Sequence, residues 1–138
     1  MGIEEFDVFV IGSGVAGQTV AEQCVKNNLR VAITDHREYG GTCANRGCDP
    51  KKIILGITEI VYSASNMKGN GVTAMPEISW EDIQKYKNQF TSPVPASTEN
   101  KLSDLGIKMY HQSPVFIDEN TISVEGKTVK SKHIVIAS

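Results

Sequence analysis

The chain has 138 residues, 40% of them apolar and 22% charged, and a net charge of −2. That length can bury one sizeable core, and no run of Lys or Arg exceeds two, which excludes the electrostatic footprint of a nucleic-acid binder or of an anionic-membrane binder. Acidic residues precede the first apolar run and glycines follow it, so neither a secretory signal nor a membrane anchor is expected, and Phe6 stands where a myristoylation motif at Gly2 needs Ser or Thr.

Residues 6–11 are apolar except for Asp7, the pattern of a strand covered on both faces in a parallel sheet. The turn GSGVAG follows at once. Residues 15–28 then place Val15, Ala16, Val20, Ala21, Cys24 and Val25 at helical spacing, ending at Asn27-Asn28. RVAIT, residues 30–34, predicts a second buried strand that stops at Asp35 and completes a βαβ unit. Residues 36–49 contain Gly40, Gly41 and Gly47 without apolar periodicity and read as a loop over the end of the sheet. Pro50 suits a first helical turn, and Ile53, Ile54, Ile57, Ile60 and Val61 carry an apolar stripe to about Asn66. A charged helix is predicted over residues 79–92, with Ser79 as N-cap and Glu81 and Asp82 in its first turn. Pro93 and Pro95 break it, and a further helix runs to Leu105. From Ile107 the runs IKMY, VFI, TISV and HIVIA alternate with turns, predicting a small meander that feeds a last buried strand.

Gly12, Gly14 and Gly17 form GxGxxG between a buried strand and a helix, the context in which backbone amides at a helix N-terminus face a pyrophosphate. Asp35, at the tip of the next strand, is placed to accept hydrogen bonds from both ribose hydroxyls of an adenosine. The pattern serves FAD and NAD alike and does not choose between them.

In a reducing compartment, the default for this chain, a close cysteine pair is more often catalytic or metal-binding than structural. Cys43 and Cys48 would stand roughly 8–9 Å apart between Cα atoms in a regular helix, beyond the ~7 Å limit for a disulfide. The pair can therefore be bridged only if Cys43 sits on the loop or on a distorted turn, which Gly40, Gly41 and Gly47 permit. The helix start would then favour a thiolate at Cys48, and Asp49 would oppose it. A structural bridge, half of a metal site and two unrelated thiols remain as other readings. His36, His111 and His133 are not at ligand spacing, so no metal is expected. Cys24 reads as a structural thiol on the apolar face of the first helix.

The stretch GGTCANRGCDPKK, residues 40–52, resembles the active-site segment of the class I pyridine nucleotide-disulfide oxidoreductases, the flavoprotein group that includes glutathione reductase, dihydrolipoamide dehydrogenase and mercuric reductase. The closing IVIAS is similar to that family's strand leading to a turn beside FAD. The resemblance implies an α/β, Rossmann-like FAD-binding domain in three layers, with a parallel central sheet, helices on both faces and a small β-meander. Gly12, Gly14, Val15, Ala16 and Gly17 would hold the FAD pyrophosphate and Asp35 the adenosine ribose. Gly41 and Thr42 would line the cofactor, Ser113 and Pro114 approach the adenine, and Ala137 the pyrophosphate end. Cys48 would be the thiol next to the flavin, Cys43 the interchange thiol, and Lys52 would face the flavin ring.

The activity implied passes electrons from NAD(P)H through FAD to a Cys43–Cys48 disulfide and on to a small-molecule or protein disulfide, or a soft metal ion, in a cytoplasmic homodimer. On this reading residues 1–138 are the N-terminal part of the FAD-binding domain, without the nicotinamide-binding and C-terminal dimerisation domains, and the chain alone is expected to lack complete turnover. Asp35 where the family usually has Glu, Asp49 after Cys48, and Ser138 in place of Thr mark a divergent member. Two rivals stand beside it: an NAD-dependent Rossmann dehydrogenase with incidental cysteines, and a non-enzymatic FAD-domain fragment.

Overall fold

The first apolar run folds as predicted: in the computed structural model, which describes residues 2–138, strand β1 spans Glu4–Ile11 and buries Val8, Phe9 and Val10. Helix α1 (Val15–Lys26) follows the glycine turn and stops where Asn28 takes a positive φ of 61°. Strand β2 (Val31–Thr34) is buried along its whole length. The chain then divides into two compact units. The first takes the described residues up to Gly41 together with Val94–Ser138, and the second is Thr42–Pro93.

Helix α2 (Gly41–Arg46) opens on the last residue of the first segment and otherwise belongs to the second unit, with α3 (Cys48–Asn66) and α4 (Trp80–Thr91); the first unit then continues with α5 (Val94–Asp104), β3 (Lys108–Tyr110), β4 (Val115–Phe116), β5 (Thr121–Val124) and β6 (Lys127–Ile136). Its six strands form one sheet in the order β3-β2-β1-β6-β5-β4. β1 lies between β2 and β6, parallel to both, with Val8 opposite Val31 on one side and His133 on the other.

Two expectations need correction. β3 does not belong to the meander; it extends the parallel sheet beside β2. The meander and the last strand are also not separate, because β6 is one ten-residue strand whose start pairs antiparallel with β5 while its length pairs parallel with β1.

One face of the sheet packs Val8, Val10, Val31 and Ile33 against Ala21 of α1 and Leu102 of α5. The opposite face joins Phe9, Ala32 and Tyr110 to Ile122, Val124 and Val129 of the antiparallel arm. Strands β3 and β5 are far apart in the sheet order, yet the Gln112 side chain after β3 accepts the Glu125 N–H in the β5–β6 turn. The arm must therefore curl over the parallel strands. Within this unit it occupies the face where the sequence reading placed helices, and the layers run helix, parallel sheet, antiparallel arm.

In the second unit, α3 packs against α4, and Ser79 caps α4 by accepting the Asp82 N–H at 3.2 Å. Only Pro50 and Ile83 of its residues are buried. Ile54, Ile57, Val61, Ile78, Trp80 and Ile83 line a groove of about 470 Å³ on it.

Candidate active site

The glycine turn ends β1 and starts α1 in three residues. Gly12 N–H donates to Thr34 O at 2.8 Å, tying the turn to the tip of β2, and Ala137 N–H donates to Ile11 O at 2.8 Å, bringing the end of β6 to the same edge. At Gly17 a Cβ would stand 1.9 Å from Gly12 O, so only glycine lets α1 begin this close to the strand. No side chain caps α1, and its first turn holds no acid. Its leading N–H groups and the positive end of its dipole are thus offered to an anion, as a pyrophosphate site requires.

Asp35 is held on the same edge. Its Oδ2 accepts both the Ser13 N–H (2.9 Å) and the Ser13 hydroxyl (2.7 Å), and its Oδ1 accepts the Arg37 N–H at 3.1 Å. Burial alone would raise this carboxyl, but the hydrogen bonds from Ser13 and Arg37, with His36 nearby, outweigh it and hold Asp35 below the usual carboxylate range.

Gly40 N–H donates to Ser13 Oγ at 3.2 Å. Gly41, with φ 76°, lies so close to Gly14 that a Cβ would stand 2.5 Å from the Gly14 Cα. Tyr39, fully buried, anchors this turn by donating its phenol to Tyr110 O (2.7 Å) and Ile33 O (3.2 Å). Ser113 and half-buried Pro114 follow Gln112, whose carbonyl accepts the Thr34 hydroxyl at 2.5 Å, so their loop starts beside the tip of β2. Gly12, Gly14, Val15, Ala16, Gly17, Asp35, Gly41, Ser113, Pro114 and Ala137 all belong to this unit. Sequence reasoning missed Ser13 and Tyr39. Ser13 reads as a freely variable fingerprint position, whereas an aromatic residue in a loop of charges and glycines was a signal that it needs a pocket.

Thr42, Cys43, Cys48 and Lys52 belong to the second unit. The expected loop over residues 36–49 is shorter than predicted, because α2 forms over Gly41–Arg46 and Cys48 already opens α3. Only Gly47 separates the two helices. A Cβ there would meet Thr42 O at 2.9 Å and the Cys43 Cα at 3.3 Å, so this glycine lets the turn carrying Cys43 fold back onto the start of α3. The two cysteines are thiols in this structure, and their side chains share a hydrogen bond. That bond, burial, and the charges of Cys48 and Asp49 push the Cys43 thiol above its ordinary range, against a lowering contribution from the Cys48 backbone. Lys52 is exposed one turn further along α3.

Among the described residues no group of three or more His, Cys, Asp or Glu side chains is placed to hold a metal ion, and no helix is long and apolar enough to cross a membrane. The uncapped start of α1, the Asp35 carboxylate on the same edge and the close glycine packing are groups that could hold the adenosine half of a dinucleotide.

Residues 6–138 match the family model described as pyridine nucleotide-disulphide oxidoreductase. Among curated proteins, the chain is 31% identical to a mercuric reductase of Bacillus cereus over 99% of its own length and 22% of that protein's. It is 24% identical to a dihydrolipoyl dehydrogenase of Mycoplasma genitalium over 97% of its length and 30% of the relative's, and 31% identical to a mercuric reductase of Staphylococcus aureus over 97% and 25%. The chain thus spans about a quarter of the length of the relatives it matches. With the family match running from β1 through both cysteines to the end of β6, this chain belongs to the pyridine nucleotide-disulphide oxidoreductases.

Proposed function

We propose that this chain forms the adenosine-binding and redox-dithiol portion of an FAD-dependent NAD(P)H:disulfide oxidoreductase. The observation that carries the proposal is the turn at Gly47, which folds the Cys43 backbone back onto the start of α3 at Cys48, in a chain whose first unit sets the uncapped start of α1 beside Asp35. The α1 N-terminus with Gly12, Gly14, Val15, Ala16 and Gly17 would hold the pyrophosphate of FAD, with Ala137 at its end. Asp35 would meet the ribose, Ser113 and Pro114 the adenine, and Gly41, Thr42 and Lys52 the flavin side. When bound, FAD supplies a two-electron relay between a reduced nicotinamide and the cysteine pair.

The chain's own chemistry is thiol–disulfide exchange. The Cys43 thiolate attacks one sulfur of a substrate disulfide, forms a mixed disulfide and releases the first thiol. Cys48 then attacks the Cys43 sulfur, releasing the second thiol and leaving a Cys43–Cys48 disulfide, which two electrons and two protons return to the dithiol. Because Cys43 is held protonated, its attack needs a base, and the second unit contains no histidine to serve. The working enzyme, in this proposal a homodimer, takes that base from residues outside this chain, and a soft metal ion is the alternative acceptor to a disulfide.

The test is a titration of the purified chain with FAD, followed by thiol counting after mild oxidation. The reading expects saturable FAD binding and loss of two of the three titratable thiols, both restored by dithiothreitol. It expects Cys43→Ser and Cys48→Ser each to abolish that paired loss. Failure to bind FAD, or oxidation that ignores the pairing, refutes the assignment.

A further inference from the structure

Ser13 is fully buried between two fingerprint glycines, and the protein engages every polar atom it has. Its N–H and hydroxyl both donate to Asp35 Oδ2, its Oγ accepts the Gly40 N–H, and its carbonyl accepts the Gln18 side-chain amide at 2.8 Å. A carboxylate oxygen has two lone-pair directions, so two donors from one residue fill Oδ2. Oδ1 accepts the Arg37 N–H at 3.1 Å and has the exposed His36 Nδ1 3.8 Å away, beyond hydrogen-bond distance, so one of its two lone pairs has no hydrogen-bond donor among the described residues.

We propose that Ser13 is a positioning residue that commits one oxygen of Asp35 to the glycine loop, so that the carboxylate serves an adenosine ribose through Oδ1 alone and takes one hydroxyl instead of two. The inference rests on the adenine-dinucleotide reading above and departs from the two-hydroxyl contact expected of an acid at this position. Its physical reason is reach. The short Asp35 side chain ends beside Ser13, and satisfying both donors of that buried residue uses the oxygen that a second hydroxyl would need. The same bonds tie the tip of β2, the glycine loop and the Gly40 turn into one unit, so the loop is held in shape before any ligand arrives.

The experiment is calorimetric titration of the full chain with ADP, 2′-deoxy-ADP and 3′-deoxy-ADP, in wild type and in Ser13→Ala. Wild type should lose about tenfold or more in affinity with one deoxy analogue, the worth of a hydrogen bond to a charged group, and less than about twofold with the other. In Ser13→Ala one lone pair of Oδ2 is released, the second hydroxyl gains an acceptor, and both analogues should bind more weakly than ADP. A residue needed only for folding would lower all three affinities together and leave their ratios unchanged. Equal losses with both analogues in wild type would overturn the inference while leaving the dinucleotide reading intact, and this arm needs no variant to fold. Absence of any ADP binding to wild type would overturn both. If Ser13→Ala folds and keeps the wild-type asymmetry, Ser13 does not govern which oxygen is free, and the inference also fails.

Discussion

Replacing Tyr39 with Phe removes one oxygen from the buried anchor of the Gly40–Gly41 turn and leaves the ring in place. The phenol donates to Tyr110 O at 2.7 Å and, more weakly, to Ile33 O at 3.2 Å. Tyr110 O still accepts the Asp35 N–H at 3.2 Å without it, so that carbonyl is not orphaned. The cost is therefore the net worth of one good hydrogen bond and one long one, about 1–2 kcal/mol, below the cost of losing them and also stranding a buried polar group. For a chain of this size that corresponds to a fall in melting temperature of roughly 3–7 °C. Burial pushes the phenol far above its ordinary range, so it stays a donor and the difference between Tyr39→Phe and wild type should be flat between about pH 6 and pH 9. Thermal and urea unfolding followed by far-ultraviolet circular dichroism measure it. A loss below about 0.3 kcal/mol would show that the phenol contributes nothing net, and a loss above about 4 kcal/mol would show that the carbonyls depend on it as their only partner; either result refutes the reasoning.

Gly17→Ala places a Cβ 1.9 Å from the Gly12 carbonyl oxygen, which no rotamer relieves, so the start of α1 must move off β1; FAD titration should show affinity falling at least about tenfold. Cys43 is held protonated, so in the reduced chain its alkylation by iodoacetamide, followed by peptide mass spectrometry, should rise with pH along a curve displaced above that of an unhindered model thiol. A Cys43 curve at or below the model thiol would contradict the shared thiol hydrogen bond. Ser79→Ala removes the cap on α4 and should cost about 1 kcal/mol, read from the emission of Trp80, the chain's single tryptophan, during urea unfolding.

Much of this was legible in the residues, for reasons that also explain the misses. β1 and β2 were readable because strands covered on both faces must be apolar throughout, and the Ser79 cap because its hydrogen bond is local. Helix α2 was not, since TCANR has no apolar period and is bounded by glycines that read as loop; its turn folds because Gly47 admits Thr42 O and Cys43 at close range. The length of β6 was hidden by its lysines. Val129 and Ser131 point inward while Lys130 and Lys132 point out, an alternation that was present but outweighed by the polar composition. At the candidate site, the glycines and cysteines announce themselves by spacing. Ser13 does not, because its role depends on Asp35, which lies 22 positions away along the chain.

The doubly paired strand β6 also sets the order in which this protein can be made. Glu4 pairs with Val129, and Ile11 with Ile136, so the central strand of the sheet leaves the ribosome long before one of its two neighbours exists. At about 5–20 residues per second, that interval is on the order of ten seconds. During it Val8, Phe9 and Val10 sit on an unpaired edge, the arrangement most open to pairing with another nascent chain. The antiparallel arm waits on the same strand, since β5 takes its register from residues 127–130. Sheet closure is thus a late, long-range event, and the yield of folded protein should depend more on how β1 is sheltered during translation than on how quickly its helices form.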